Sequence, residues 1–153
     1  MANYSDSLGF NKGSAAFPAD VTDVSKFSVE LDFAQIVAAR AAAGATALSA
    51  ADTLQVIALP AGSVVLSAGL QVVKAESTNT TATFDFGFTG GSPAAADAYA
   101  DGLASNALAY GIEDLANPTA VTSADTIDLL LNTAVPTDCV LHAYAIVANV
   151  AAK

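Results

Sequence analysis

Asp52-Thr-Leu-Gln-Val-Ile-Ala-Leu-Pro-Ala-Gly-Ser-Val-Val-Leu-Ser-Ala-Gly-Leu-Gln-Val-Val-Lys-Ala-Glu76 decides the fold class. Val, Leu and Ile dominate it, and β-branched residues fit a pleated, half-buried surface. The stretch reads as two apolar strands, about Thr53 to Leu59 and Ser63 to Ala75, folded about Pro60-Ala61-Gly62. Proline pre-sets φ for a turn and glycine tolerates backbone conformations that other residues avoid. Gly69 interrupts the second strand, which predicts a bulge or bend there. No nucleophile, base or ligand cluster sits on the stretch.

Outward from it, the alternation continues. Phe27, Val29, Leu31 and Phe33 share one face of a half-buried strand, with Ser28, Glu30 and Asp32 on the other. Ala34 to Gly44 is rich in Ala with one Arg, and reads as a short helix that Gly44 would end. Thr80 to Phe88 carries the strongest strand signal: Ala82, Phe84, Phe86 and Phe88 face one way, Thr81, Thr83, Asp85 and Gly87 the other. Thr89 to Pro118 reads as a long loop with a helical piece between Ala94 and Ala100. Thr126 to Asn132 reads as a strand. Cys139 to Val150 reads as a last strand, apolar on both faces and so expected in a central or doubly covered position. The sum is an all-β fold, a β-sandwich or jelly-roll-like single domain over 25–153 with at most short helices. Residues 1–24 form an extended N-terminal arm, polar but dotted with Tyr4, Leu8, Phe10 and Phe17. Gly13 and Pro18 argue against a continuous helix or central strand there. Such an arm either docks on a neighbour through those four side chains or frays with a few local contacts.

Composition narrows the function. With 153 residues, one domain with its own core is expected. Charged residues are 13%, about half the usual share, while 54% are hydrophobic and much of that is alanine. Little charge is left to cover a surface, which points to extensive contact with other subunits. Fifteen acidic residues against five basic ones give a net charge of −10. That excludes a basic footprint for nucleic acid and disfavours anionic membranes. There is no signal-peptide pattern, and no apolar run is long enough to span a bilayer. The single cysteine, Cys139, precludes an intrachain disulfide and is expected to be a buried, inert thiol.

Catalytic chemistry finds little to stand on. Cys139 and His142 are three residues apart, hence on opposite faces of a strand, which works against a shared metal. No Gly-x-Ser-x-Gly elbow supports a serine triad through His142. The chain has no Trp to make a sugar platform beside paired carboxylates. Asp85-Phe86-Gly87 matches a kinase tripeptide only by letters, and no phosphate-binding glycine loop is present. Asp97 and Asp101 beside Gly102 could offer oxygen ligands to calcium, but without EF-hand spacing. No enzyme activity, metal or cofactor is therefore expected.

The alternating strand from Ser25, Asp52-Thr-Leu-Gln-Val-Ile-Ala-Leu-Pro-Ala-Gly-Ser, Ser67-Ala-Gly-Leu-Gln-Val-Val, Thr83-Phe-Asp-Phe-Gly-Phe-Thr and the Asp97-Ala-Tyr-Ala-Asp-Gly loop together resemble the capsid decoration or cement proteins of tailed bacteriophages. The resemblance covers about Ser25 to Gly102 and, more loosely, the C-terminal strands. It departs at Asp97 to Gly102, where alanines dilute a loop that is more acidic in similar proteins. It implies a non-enzymatic head-stabilising protein, often a homotrimer, on the outer surface of the virion capsid after synthesis in the host cytoplasm. Its partner would be the major capsid protein, whose neighbouring copies it clamps, and Tyr4, Leu8, Phe10 and Phe17 would anchor the arm. A trimeric head-fibre or tail-associated receptor-binding module, present in few copies, is the alternative. A small carbohydrate- or ion-binding domain is a third reading, against which the missing site argues.

Overall fold

The computed structural model describes residues 24–89, 95–112 and 120–149. The expected arm, with Tyr4, Leu8, Phe10 and Phe17, lies outside the described residues apart from Val24. Eight strands and one helix follow in the order β1 (Val24–Asp32), α1 (Phe33–Ala42), β2 (Thr53–Leu59), β3 (Ser63–Lys74), β4 (Thr83–Phe88), β5 (Ala95–Ala104), β6 (Tyr110–Gly111), β7 (Asp125–Asn132) and β8 (Val140–Asn149). They form two four-stranded antiparallel sheets, β1-β8-β3-β6 and β2-β7-β4-β5. Strands one to four pair with eight to five in reverse order, so the chain is one long hairpin ribbon rolled across two layers. This is the double-sheet jelly roll.

The rolling follows from the sequence. The Pro60-Ala61-Gly62 turn does not close a hairpin: β2 pairs with β7, whereas β3 pairs with β8 and β6. It is a corner that carries the chain from one sheet to the other. Ser63 N–H donates to the Pro60 carbonyl at 3.1 Å, and Gly62 has φ +82°, which places a positive φ at the third turn position as a type II turn requires.

The core lies between the sheets. Phe84, Phe86 and Phe88 of β4 face inward as their alternation predicts, joined by Leu129 and Leu131 of β7 and by Leu141, Ala143, Ala145 and Val147 of β8. Helix α1 closes one end of the sandwich. Its N-cap is Asp32, whose carboxylate accepts from Ala34 N–H at 3.0 Å and Gln35 N–H at 3.2 Å. It buries Phe33 and Ile36, and Phe33 stacks on Phe84 at 5.8 Å. Gly44, at φ +64°, follows the C-terminal end, as expected of a left-handed terminator.

Two expectations are corrected, and a third is met in the strand order. Residues 95–100 are not helical but begin β5, on the edge of its sheet. Alanine's helical propensity is overridden because Tyr99 inserts between Phe86 and Phe88, with ring centroids 6.2 and 5.8 Å away. Gly69 marks no bulge. The irregularities of β3 fall between Val65 and Ser67 and between Val72 and Lys74, while Gly69 pairs regularly with Tyr144. Its missing side chain answers a close approach instead: a Cβ there would stand 2.8 Å from Tyr144 Cε1 and 2.9 Å from the Gly111 carbonyl. The last strand is central, between β1 and β3, as expected, and among the described residues only its inner face is fully buried. Val140, His142, Tyr144, Ile146 and Ala148 are half-buried on the other.

Tyr99 also carries a prediction. Its hydroxyl is buried with no hydrogen-bond partner among the described residues, and burial pushes its pKa upward. A buried donor without a partner costs about 1–3 kcal/mol, so Tyr99→Phe, which keeps the ring, should raise the unfolding free energy by about 1 kcal/mol. A urea titration that shows a loss would mean the hydroxyl is satisfied.

Candidate interaction surface

The residues with chemical potential are scattered. Cys139 is fully buried just before β8, and burial, with Glu76 and Asp138 nearby, pushes its thiol up to about 12. It is therefore a poor nucleophile. His142 lies on the opposite face, half-buried and level with Glu30 of β1 and Gln71 of β3. No three His, Cys, Asp or Glu side chains come together as a metal site among the described residues.

Asp97 and Asp101 do not form a loop site. Both stand exposed on β5, where the register against β4 slips twice, between Phe84 and Phe86 and between Phe86 and Phe88. Asp85 pins the first slip, accepting from Gly102 N–H at 2.8 Å. The Asp85-Phe86-Gly87 tripeptide thus has a structural task. Asp85 ties the bulge, Phe86 fills the core, and Gly87 lets the β5 backbone come close. Asp128 of β7 is also buried and accepts hydrogen bonds from the Thr89 and Thr126 hydroxyls.

A groove of about 230 Å³ runs between α1 and the following connector, lined by Val37, Arg40, Ala41, Ala47, Leu48 and Val135 among others. Its walls are aliphatic. Arg40 donates to the Thr46 carbonyl, with Nε at 2.9 Å, and so closes the connector onto the helix. The Thr137 hydroxyl at its border is already given to Glu76.

Glu76 is the buried polar centre of the molecule, and nothing in the sequence singles it out. Only 3% exposed, it lies just past the end of β3. One carboxylate oxygen accepts from Thr78 N–H and Asn79 N–H at 3.1 Å and from the Thr137 hydroxyl at 2.8 Å. The other accepts from the backbone N–H groups of Thr137, Asp138 and Cys139 at 2.7, 3.0 and 3.2 Å. Burial alone would raise its pKa, but the backbone donors outweigh it and hold the carboxyl well below the usual range. Around it, Ser77 donates to Asp138 through N–H and hydroxyl at 2.9 and 2.8 Å, and Asn79 Nδ2 to the Val135 carbonyl at 2.7 Å. These bonds join the β3–β4 crossover to the β7–β8 crossover.

The two sheets differ in charge. The strands of β2-β7-β4-β5 carry Asp85, Asp97, Asp101 and Asp125, at least partly exposed, and the buried Asp128, with no Lys or Arg. The β1-β8-β3-β6 sheet balances Lys26 and Lys74 against Glu30 and Asp32. At its β6 edge Tyr110 and Ile112 are 71% and 47% exposed, and Tyr144 and Ile146 of β8 are half-buried.

The described residues thus form an eight-stranded jelly roll with no metal-type cluster of side chains among them. This roll shares its fold with chains of three phage capsids. A chain in the acidic stable capsid structure of Helicobacter pylori bacteriophage KHP30 matches with a TM-score of 0.54 at 15% identity, over 84% of this chain and 90% of that one. A chain of the cyanophage Pam1 capsid asymmetric unit matches at 0.50 and 20%, over 92% and 98%. One from the capsid of Ralstonia phage GP4 matches at 0.52 and 13%, over 86% and 88%. No family model and no curated protein matches the sequence. At these identities the likeness is one of fold.

Proposed function

We propose that this chain is a non-enzymatic structural protein of a phage head, a decoration or cement protein that binds the outside of the capsid shell. It clamps neighbouring major capsid proteins and acts as a homotrimer. The observation that carries this reading is the two-way coverage of the fold match. Three phage capsids contain a chain that consists of this jelly roll and little else. The low charge, the apolar outer sheet face and the absence of an assembled catalytic group among the described residues are what a contact protein needs. Many weak, identical contacts on a closed shell add up through multivalency. In this reading Tyr4, Leu8, Phe10 and Phe17 anchor the N-terminal arm to a neighbouring subunit.

Quantitative mass spectrometry of washed, purified particles tests it. Hundreds of copies, near a simple ratio to the shell subunit, are expected. A handful of copies would favour a fibre or tail component, and absence would end the reading. Deleting residues 1–20 should abolish retention on the shell while leaving the folded body intact, and undiminished retention would remove the anchoring role from the arm.

A further inference from the structure

We propose that the outer face of the β1-β8-β3-β6 sheet is the surface through which copies of this chain associate with one another. The proposal rests on the self-assembly part of the functional reading and names its surface. Charge supports it first. Each copy carries −10, and two such surfaces repel when they come within a Debye length, about 8 Å at physiological ionic strength. On the β2-β7-β4-β5 sheet that repulsion is unrelieved: Asp97 and Asp101 are exposed, Asp85 and Asp125 partly so, and its strands hold no base. The opposite sheet has no net charge, with two bases and two acids. It is the sheet face on which a second copy can settle.

Geometry supports it second. Gly69 lies in the floor of this face, with Tyr144 and Ile112 against it from either side. A Cβ on Gly69 would meet Tyr144 Cε1 at 2.8 Å and Ile112 Cγ1 at 3.0 Å. The glycine thus lets two large side chains lie low over β3 and join into one apolar surface from β8 to β6. Tyr110, opposite Gln71, extends it, and Ile146 continues it along β8. Exposed Tyr110 and Ile112 and half-buried Tyr144 and Ile146, with Gln71 and His142 among them and Lys26 and Glu30 bordering them on β1, offer the aromatic and aliphatic anchors with polar neighbours that an interface uses. Strand rise and spacing give the sheet an area of about 500 Å² per copy, more than half of the roughly 800 Å² that each partner gives to a standard interface.

Sedimentation velocity of the full chain over a range of concentrations is the experiment. The wild type should be oligomeric at micromolar concentration. The double variant Tyr110→Glu, Ile112→Glu should associate roughly 30-fold more weakly, as loss of an aromatic anchor does. Asp97→Lys on the other sheet should associate as the wild type does. A folded double variant that stays oligomeric overturns the proposal. A monomeric wild type overturns it together with the homotrimer, whereas shell binding is read separately from copy number on particles. Hydrogen exchange of the wild type at two concentrations covers the case in which the double variant does not fold. Protection that rises with concentration at 110–112 and 142–146 supports the proposal, and its absence there overturns it.

Discussion

Glu76→Gln is expected to lower the unfolding free energy by about 3 kcal/mol and the melting temperature by about 10 °C. Each carboxylate oxygen of Glu76 is enclosed by three donors, so no orientation of a glutamine amide satisfies the site. Turned one way, its NH₂ faces the N–H groups of Thr137, Asp138 and Cys139. Turned the other, it faces those of Thr78 and Asn79. Either way two or three backbone donors lose a charged acceptor and meet a donor instead. The variant is nearly isosteric, so the loss reports hydrogen bonding rather than volume. Acid should show the same linkage. The folded pKa of Glu76 lies below its ordinary value of 4.5. Its contribution is therefore fully present above that value and is lost as pH falls towards the folded pKa. The gap between wild type and variant should be constant near neutrality and narrow below about pH 4.5. Urea titrations across that range would decide it, and a gap that widens in acid would show the carboxylate is not the stabilising form.

The second large effect belongs to Gly87→Ala. A Cβ at Gly87 would lie 2.2 Å from the Ala95 carbonyl oxygen, 2.7 Å from the Ala98 nitrogen and 2.8 Å from the Ala96 oxygen. All three are backbone atoms, so no side chain can turn away. Strand β5 would have to move off β4, and Tyr99 would leave its place between Phe86 and Phe88. A loss of about 3 kcal/mol is expected, at the upper end for overpacking. Gly102→Ala is the control. Gly102 has φ +59° and open space around it, so alanine there meets only the left-handed penalty of about 1–2 kcal/mol. Equal losses at the two glycines would mean that backbone conformation, not the close approach of β5, governs Gly87.

Much of the roll was legible in the sequence, wherever side-chain chemistry and burial agree. β2 has its expected bounds, β3 ends within one residue of them, and the phenylalanines of β4 face as their alternation requires. Ala94 to Ala100 misled because alanine carries a helical preference and no strand preference, while the deciding contact is Tyr99 with two rings of another strand. Gly69 was legible as special but not in kind, since a bulge and a close neighbour leave the same mark on a single chain. Glu76 was illegible. A glutamate beyond a strand reads as a surface residue, and its donors at 137–139 are about sixty residues away. The neutrality of one sheet against the acidity of the other could be counted only once strands had been assigned to layers.

The strand register fixes how the body would respond to a pull. Val24 lies opposite Ala148, so the chain enters and leaves the roll at the same pole, on neighbouring antiparallel strands. Tension between the two ends meets the β1–β8 bonds one after another, as a zipper does, and peels the first strand at low force. Tension between the Val24 pole and the pole fastened by Glu76 runs along the strands and loads their bonds together, in shear. The roll is therefore soft across its ends and stiff along its length.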